Sequence, residues 1–244
     1  MLNFGSMRIA LIGYGKMGHI IEQTAVKRGH EIVCIIDPVQ SVVPSALLSQ
    51  VTDERGFDTA DFATADVAIE FTSPLAAQDN ICRAWAKHVP VVSGTTGWDV
   101  DSFIAGHADD LQTNALVWSS NYSIGVNIFF AINHKLAEMM SAYSQYTPSI
   151  TEVHHIHKLD KPSGTAKTML KDIQSVYQND IDVQSVREGE VPGIHTVKWE
   201  SSVDDITLTH SAKSREGFAL GAVLAAEWLK GKCGFYTMNE ILGL

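Results

Sequence analysis

Short apolar runs alternate with stretches of helical spacing in the first half of the chain. The run Arg8 to Ile12 stops at a glycine, and apolar residues then recur at helical spacing from Ile20 to Arg28. This order predicts a strand, a glycine turn and a helix. Strands alternating with helices predict an α/β fold with a doubly wound parallel sheet up to about Tyr122. The alternation continues through four more apolar runs, at Glu31 to Ile36, Val67 to Phe71, Pro90 to Val92 and Leu116 to Trp118. A helix-like stretch lies between two of them, at Ala76 to Lys87.

The pattern changes in the second half of the chain. Gly125 to Tyr143 and Ser163 to Tyr177 have the apolar spacing of amphipathic helices, whereas Ser149 to His157 is typical of an extended segment. Two alternating runs, His195 to Trp199 and Ile206 to His210, predict an antiparallel pair of strands. We therefore expect a second, smaller domain of the α+β class.

The first glycine turn consists of Gly13, Tyr14, Gly15, Lys16, Met17 and Gly18. It fits G-x-G-x-x-G, with a predicted strand before it, a helix after it and Asp37 at the end of the next strand. In a Rossmann-type domain such glycines make the tight turn, let the backbone approach a pyrophosphate and pack the helix on the strand. The pattern predicts binding of NADH or NADPH. The alternative is a turn that only packs a helix on a strand.

Asp37 indicates which dinucleotide is preferred. A carboxylate at this position accepts hydrogen bonds from ribose hydroxyls and repels a 2′-phosphate, and the adjacent Pro38 offers no positive charge. We therefore expect NADH to be favoured over NADPH. Lys16 works against this expectation, because its ammonium group is able to reach a 2′-phosphate.

Two further turns follow predicted strands. FTSP begins at Phe71, and SGTTGWD spans Ser93 to Asp99. Ligands of open parallel sheets bind outside the carboxyl ends of the strands, so Thr95 and Thr96 are candidates for hydrogen bonds to a nicotinamide amide. Each segment is equally compatible with a plain turn.

The segment EVHHIHKLDKPSGTA, Glu152 to Ala166, concentrates protonatable side chains. A metal site would use His155 and His157, but no cysteine or convincing third ligand lies near them in sequence, so we expect no metal. A solvated basic loop that ends in a capped helix is the second interpretation. The third is a site for an organic acid, formed by a histidine together with Lys158, Ser163, Gly164 and Thr165.

Composition narrows the classes of partner. The 244 residues, 45% of them hydrophobic, suffice for one large domain or two modest ones. With 18 basic and 28 acidic residues the net charge is −10, which argues against a nucleic-acid or anionic-membrane surface. No apolar run is long enough to predict a membrane span. The widely spaced Cys34, Cys82 and Cys233 indicate a reducing, cytoplasmic location.

Together these motifs resemble one family. EVHHIHKLDKPSGTA is similar to the signature of the dihydrodipicolinate reductases, also called 4-hydroxy-tetrahydrodipicolinate reductases, of the diaminopimelate route to lysine. The likeness covers nearly the whole chain, through EFTSP, SGTTGWD, SSNYSIGVN, GIHTVKW and SREGFALGAVLAAEWL. It implies an NAD(P)H-dependent enzyme, a homotetramer, and a cyclic dicarboxylate substrate reduced across a carbon–carbon double bond conjugated to a ring imine.

The resemblance also implies roles for individual residues. His154 matches the proposed acid/base histidine, and Lys158 matches the proposed proton donor. Gly13 to Gly18 match the pyrophosphate loop, and Asp37 matches the ribose contact. The positions that match carboxylate-binding residues are His155, Lys158, Ser163, Gly164 and Thr165. The positions that match the surroundings of the nicotinamide are Phe71, Gly94, Thr95, Thr96, Ser119, Ser120, Asn121 and Tyr122.

The predicted helix from Glu216 to Leu229, stopped by Gly231, needs a partner for its apolar face, and we expect it to pack on the first domain. The resemblance implies the same arrangement. It places the dinucleotide-binding domain at residues 1–122 and 214–244, and a domain for substrate binding and oligomerisation at residues 123–213. The two alternating runs would then build a sheet between subunits.

Some features depart from the family pattern. Many members have one more residue in the first turn than GYGKMG, Ile156 stands where relatives often carry arginine, and Tyr122 stands where many have phenylalanine. Two other classes of function stay open on the sequence. One is a dinucleotide-sensing protein without catalysis, and the other is a different small-substrate dehydrogenase of the aspartate or homoserine type.

Overall fold

The computed structural model describes residues 5–38 and 51–244. The chain divides into two compact units, Met1–Tyr122 with Phe218–Gly243, and Ser123–Gly217 with Leu244. The strands among the described residues are β1 Arg8–Ile12, β2 Glu31–Ile36, β3 Val51–Thr52, β4 Val67–Glu70, β5 Val91–Ser93, β6 Ala115–Trp118, β7 Thr147–His154, β8 Asp182–Arg187, β9 Ile194–Glu200, β10 Asp205–Ser211 and β11 Gly234–Tyr236. The helices are α1 Lys16–Lys27, α2 Ala60–Ala63, α3 Ala77–Trp85, α4 Val100–Gly106, α5 Ile124–Met140, α6 Gly164–Gln174, α7 Glu216–Leu229 and α8 Met238–Leu242.

The first unit is built on a seven-stranded sheet with the order β11-β6-β5-β4-β1-β2-β3. All its strand pairs are parallel, which confirms the predicted doubly wound α/β fold. The strands are short and apolar because both faces of the sheet are covered. On one face, the apolar residues of α7 share a core with those of α1 and β1. This agrees with the expectation that the apolar face of the helix from Glu216 to Leu229 packs on the first domain.

The second unit contains a four-stranded mixed sheet with the order β10-β9-β7-β8. The predicted antiparallel pair of β9 and β10 is confirmed, and β7 runs antiparallel to β9 and parallel to β8. Alternate residues of β7 are buried, and α5 and α6 share the core of that face. The buried residues of β7 change from apolar to polar towards its end, from Ile150 to Glu152 and His154.

A buried charge cluster stabilises the first unit. The Glu227 carboxylate on α7 is 3% exposed and accepts two hydrogen bonds from the Arg28 guanidinium, at 2.7 and 2.8 Å. His30 Nε2 lies 2.7 Å from the same carboxylate. Because His30 Nδ1 accepts a hydrogen bond from the Met7 backbone N–H, Nε2 carries the proton and donates it to Glu227. The cluster therefore ties α7 to the end of α1 and the start of β1.

Glu227→Gln is expected to lower the free energy of unfolding by about 3 kcal/mol at neutral pH, since it leaves Arg28 without its charge partner. Burial opposes ionisation of Glu227, but the hydrogen bonds from Arg28 and His30 prevail and lower the pKa of its carboxyl. The stabilisation is complete above the ordinary glutamate pKa of about 4.3 and is lost as the pH falls towards the folded value. The difference in urea unfolding free energy between wild type and variant should therefore be constant above about pH 5 and narrow as the pH falls below it.

Glu31→Gln is the matched control for this prediction, because the Glu31 side chain is exposed at the start of β2. It should change stability by less than about 0.5 kcal/mol. A difference between wild type and Glu227→Gln that stays constant as the pH falls below about 5 would contradict the proposed charge contribution.

Candidate functional site

The glycine turn after β1 is shaped by close backbone contacts. Gly13 has a φ of +90°, and a Cβ at this position would lie 2.1 Å from the carbonyl oxygen of Phe71. A Cβ on Gly18 would lie 2.6 Å from the carbonyl oxygen of Gly13. A larger residue in place of Gly13 would therefore push the turn away from the end of β4. A larger residue in place of Gly18 would push α1 away from the turn.

Gly15 has a different environment from the other two glycines. It precedes α1 with a φ of −77°, and a Cβ there would have no neighbour within 4 Å. The absence of a side chain is therefore not needed for packing, but it leaves the N-terminus of α1 accessible. That is the arrangement that a pyrophosphate requires, because helix N–H groups and the helix dipole then face the anion. The turn fits a dinucleotide.

A cleft of about 380 Å³ lies beside this turn. Asp37, at the end of β2, is 9% exposed, and its Oδ2 accepts a hydrogen bond of 2.8 Å from the Tyr14 backbone N–H. The carboxylate is therefore fixed at the position from which a ribose is bound in such folds. The lining of the cleft combines this acid, the turn and the segment after β4, namely Gly13, Tyr14, Gly15, Asp37, Phe71 and Thr72 among others.

Glu70, which the sequence did not single out, organises the ends of β4 and β5. Its side chain is fully buried. The carboxylate accepts hydrogen bonds from Ser93 Oγ at 2.5 Å, from Thr95 Oγ1 at 2.7 Å and from both the N–H and the hydroxyl of Thr72. Thr95 Oγ1 in turn accepts from the Thr72 N–H at 2.8 Å. The Thr95 hydroxyl is thus part of the scaffold of these turns, whereas the neighbouring Thr96 is exposed.

The other residues predicted around the nicotinamide lie in the same unit. Gly94 packs against the Phe71 ring so closely that a Cβ would lie 2.2 Å from it. The Tyr122 ring lies 5.8 Å from that of Phe71, and its hydroxyl donates to the carbonyl oxygen of Ser93 at 2.8 Å. The tyrosine therefore adds a hydrogen bond that a phenylalanine lacks. Between these residues, the Ser119 Oγ accepts from the Asn121 N–H, and Ser120 is exposed.

The histidine and lysine segment forms the end of β7 and the loop that follows. The Lys158 ammonium lies 2.8 Å from the Asp160 carboxylate, a partner that the sequence analysis did not anticipate. His157 Nε2 lies 3.1 Å from Glu190 on the surface. His155 is partly exposed, with Nδ1 buried and without a hydrogen-bond partner among the described residues. Lys158 and His155 thus remain grouped on one short loop.

Ser163 starts α6 as an N-cap. Its Oγ accepts a hydrogen bond from the Ala166 N–H at 3.2 Å and lies 3.3 Å from His195 Nε2. Its own N–H donates to Glu152 at 3.1 Å. The N–H groups of Gly164 and Thr165 follow in the first turn, where no preceding helical carbonyl accepts from them. This helix start is suited to an anion, because the positive end of the helix dipole and the N–H groups without helical acceptors lie at the same end of the helix.

Glu152 lies at the centre of the buried polar network. Its side chain is fully buried, and Oε1 accepts from Arg187 Nη2 at 3.0 Å as well as from the Ser163 N–H. Oε2 lies 3.0 Å from His154 Nδ1, close enough for a charge interaction but without hydrogen-bond alignment. Burial opposes ionisation, but hydrogen bonds from Ser163, Ser185 and Arg187 outweigh it and lower the Glu152 pKa to about 2. The carboxylate is therefore charged at neutral pH.

Two buried histidines adjoin this carboxylate. The rings of His154 and His195 are 4.9 Å apart and nearly perpendicular. Burial lowers the pKa of His154, and the Glu152 charge opposes that shift. Burial also lowers the pKa of His195, to about 4, with the neighbouring His154 adding to the effect. Both imidazoles are therefore neutral at neutral pH.

The metal interpretation is not favoured by this arrangement. Among the described residues, the group close enough to share an ion is Glu152, His154 and His195, whose candidate atoms lie within 4.8 Å of one another. It contains neither His155 nor His157. The Arg187 guanidinium already pairs with Glu152, so a metal cation would lie next to this positive charge.

Three members of the network were missed by the sequence analysis. Arg187 lies on a strand that was not predicted, and Glu152 and His195 face each other because β7 and β9 pair in that register. The signal that was available is the two-residue period of a strand, which places Glu152 on the same side as His154.

No helix in the described part of the chain is long and apolar enough to cross a membrane.

The parallel sheet with its dinucleotide-type turn and the separate α+β unit are typical of the dinucleotide-dependent oxidoreductases. Two family models match the chain: the N-terminal part of dihydrodipicolinate reductase at residues 7–122 and the C-terminal part at residues 125–242. The chain therefore belongs to the dihydrodipicolinate reductase family. Members of this family are NAD(P)H-dependent oxidoreductases, and this chain is an enzyme of that kind.

Individual relatives agree with the family assignment. The 4-hydroxy-tetrahydrodipicolinate reductase of Christiangramia forsetii is 44% identical, over 97% of this chain and 98% of its own length. That of Archaeoglobus fulgidus is 36% identical, over 97% and 100%. The solved structure of dipicolinate-bound dihydrodipicolinate reductase from Paenisporosarcina sp. TG-14 is 21% identical with a TM-score of 0.77, covering 96% of this chain and 98% of its own. The last comparison confirms the fold.

Proposed function

We propose that this enzyme acts on 4-hydroxy-tetrahydrodipicolinate, which loses water to give dihydrodipicolinate, and that it reduces the carbon–carbon double bond of dihydrodipicolinate to give tetrahydrodipicolinate in the diaminopimelate route to lysine. The observation that carries the proposal is the second unit's grouping of the Lys158 ammonium, the N-terminus of α6 and the buried network around Glu152. This grouping suits a small ring with two carboxylates. The names of the relatives support the same substrate, and one relative was solved with dipicolinate bound.

The cofactor is assigned to the first unit. The turn from Gly13 to Gly18 would hold the pyrophosphate, and Asp37 would accept from the ribose hydroxyls. When bound, the nicotinamide supplies the hydride. The segment after β4 and the turns that Glu70 fixes would form the walls around the nicotinamide, through Phe71, Gly94, Thr95, Thr96 and Ser119 to Tyr122.

The substrate carboxylates are assigned to the second unit. One carboxylate would accept hydrogen bonds from the N–H groups of Gly164 and Thr165 and from the Thr165 hydroxyl, with the dipole of α6 assisting. Ser163 would contribute by setting the start of the helix, since its hydroxyl caps Ala166. The positive charge would come from Lys158, with His155 beside it. Asp160, which pairs with Lys158 in the structure, would be replaced by the substrate carboxylate.

Lys158 is the proposed proton donor. Hydride addition to one carbon of the conjugated ring leaves a pair of electrons at the neighbouring carbon, and a proton must form the new C–H bond there. The Lys158 ammonium supplies that proton, becomes a neutral amine and is protonated again from solvent. His154 is neutral at neutral pH, so it does not repel the ammonium and is able to accept or return a proton as the acid/base partner.

The proposal is tested by mixing the purified protein with freshly generated substrate and either NADH or NADPH. Loss of reduced-nicotinamide absorbance that depends on both substrate and protein is the expected result. Tight NADH binding without oxidation would instead favour the dinucleotide-sensing protein. Oxidation with aspartate semialdehyde or oxaloacetate plus ammonia, but not with this substrate, would favour a different dehydrogenase.

Asp37 is proposed to favour NADH over NADPH. Asp37→Asn keeps an acceptor for the Tyr14 N–H but removes the charge that repels a 2′-phosphate. We expect the ratio of kcat/KM for NADH to that for NADPH to fall about tenfold, the equivalent of one charge-assisted hydrogen bond of about 1.4 kcal/mol. Steady-state kinetics with both cofactors measure it. If Asp37→Asn leaves the ratio unchanged while Lys16→Gln lowers activity with NADPH alone, Lys16 rather than Asp37 determines the preference.

The assembly is proposed to be a cytoplasmic homotetramer. The face of the second unit's sheet opposite α5 and α6 carries half-exposed side chains such as Thr151, Val153 and Thr196, which suits a sheet that packs on a copy of itself. Cys34 is buried and no cysteine forms a disulfide among the described residues, which is compatible with a reducing compartment.

A further inference from the structure

Glu152 connects three separate parts of the second unit. Its Oε1 accepts hydrogen bonds from the Ser163 N–H at the start of α6 and from the Arg187 guanidinium on β8. Its Oε2 lies beside the ring of His154 on its own strand. None of these partners is adjacent to it in sequence. A single buried carboxylate thus sets the distances between the helix start, the neighbouring strand and the histidine.

Arg187 extends the network to the Lys158 loop. Its Nε donates to the carbonyl oxygen of Lys158 at 3.2 Å, and its Nη2 donates to the carbonyl oxygen of Asp160 at 2.5 Å. The loop has no regular secondary structure between His154 and Ser163, so these two bonds replace the ladder contacts that it lacks. The backbone that carries the Lys158 side chain is therefore fixed by Arg187, which is itself held by Glu152.

We propose that Glu152 and Arg187 are a positioning pair that places Lys158 and the first turn of α6 for binding the dicarboxylate, and that Glu152 in addition stabilises the protonated form of His154. The inference rests on the proposed function, because it concerns how the same segment is arranged. Neither residue needs to contact the substrate, and both act through the groups that they hold.

Packing alone does not explain the pair. A buried ion pair pays a desolvation penalty that hydrophobic residues of similar size would avoid, so stability gives little reason to place one here. Its hydrogen bonds also go to specific positions. Besides the carbonyl of Val186 next to it, the Arg187 guanidinium donates only to Glu152 and to the Lys158 loop among the described residues.

The effect on His154 follows from the charges around it. Burial disfavours its imidazolium, as do the positive charges on Lys158 and Arg187, whereas the carboxylates of Glu152 and Asp160 favour it. His195, the other titratable ring in contact, is neutral. Loss of the Glu152 charge therefore lowers the pKa of His154 further, and the imidazole would be protonated only at lower pH.

The binding experiment uses four variants and pyridine-2,6-dicarboxylate as the probe in titration calorimetry, without cofactor. The variants are Glu152→Gln, Arg187→Met, the double variant Glu152→Gln/Arg187→Met, and the matched control Glu200→Gln, which removes a surface carboxylate on β9 paired with Lys198. We expect the control to bind like wild type. Each single variant should bind the probe at least about tenfold more weakly, as expected for one charge-assisted hydrogen bond.

The double variant distinguishes positioning from stability. Because both charges are removed together, its urea midpoint should recover most of what each single variant loses, so it remains measurable if a single variant does not fold. Positioning predicts that its affinity for the probe stays low, since the Lys158 loop still lacks its tether. Recovery of both stability and affinity, or wild-type affinity in a folded Glu152→Gln, would overturn the inference.

A second readout tests the charge effect on His154. In NMR titration, the His154 ring of Glu152→Gln should titrate at lower pH than in wild type, and the ring of Glu200→Gln should not shift. An unchanged titration would overturn the electrostatic role of Glu152. Failure of the wild-type protein to bind the probe would instead contradict the proposed dicarboxylate site itself, and is thereby distinguished from failure of the positioning pair.

Discussion

Lys158→Ala is expected to lower kcat by about 100- to 1,000-fold while the affinity for NADH changes less than about twofold, because a positioned general acid typically contributes 10² to 10⁴ in rate. The ammonium of Lys158 is proposed to bind a substrate carboxylate and to deliver the proton, and neither task involves the glycine turn. The KM for substrate should rise as well, since one charge partner of the dicarboxylate is lost. Stopped-flow turnover and fluorescence titration with NADH measure the two quantities separately.

Lys161→Ala is the matched control for Lys158→Ala. It removes a lysine from the same loop, but its side chain is exposed and makes no contact assigned to the site. Its kcat should remain within about twofold of wild type. Equal losses of turnover and NADH affinity in Lys158→Ala would show that the variant perturbs the whole protein, and would contradict the assignment of Lys158 as the acid.

Gly15→Ala is expected to weaken NADH binding about 100-fold, or about 2.7 kcal/mol, while the free energy of unfolding changes by less than about 1 kcal/mol. The reason is geometric. A Cβ on Gly15 meets no protein atom within 4 Å and its φ is one that alanine adopts, so the fold accepts the change. The same methyl group would project where the pyrophosphate is proposed to approach the backbone. Calorimetric titration with NADH and urea unfolding measure the two effects.

Two other glycines provide control variants for this prediction. Gly106→Ala lies at the exposed end of α4 with no neighbour near its Cβ, and should alter neither quantity. Gly13→Ala should lose stability, because its φ of +90° strains alanine and its Cβ would meet the Phe71 carbonyl. Unimpaired NADH binding by a folded Gly15→Ala would contradict the proposed pyrophosphate position.

The fold was largely predictable because its core strands are short apolar runs separated by helical spacing. β1 and β2 were predicted to the residue, and so was α7. β8 was missed because its sequence, DVQSVR, is mostly polar, with one face exposed and the other only half-buried. β3 and β11, with two and three residues, carry too few positions for a period to be detected. Their strand conformation depends on pairing with β2 and β6 rather than on local sequence.

The candidate site was predictable in part. Gly13, Gly18 and Asp37 follow from local rules about turns and strand ends, and the structure gives each a specific contact. Glu70 and Glu152 were missed because a buried acid is recognisable only through its partners. Strand pairing between segments far apart in the chain brings those partners close to each acid, and a single sequence does not show that pairing. Ser163 illustrates the overlap of two interpretations, since it caps α6 and belongs to the proposed carboxylate site at the same time.

The most direct test of the proposed reduction follows two hydrogen atoms into the product. The protein is mixed with freshly generated 4-hydroxy-tetrahydrodipicolinate and NADH deuterated at the transferred position, and the product is analysed by mass spectrometry and NMR. The proposal predicts one deuterium on a ring carbon of tetrahydrodipicolinate, and, when unlabelled NADH is used in D2O, deuterium on the neighbouring carbon. NADH that binds but remains unoxidised, or a product without deuterium from the cofactor, would contradict it.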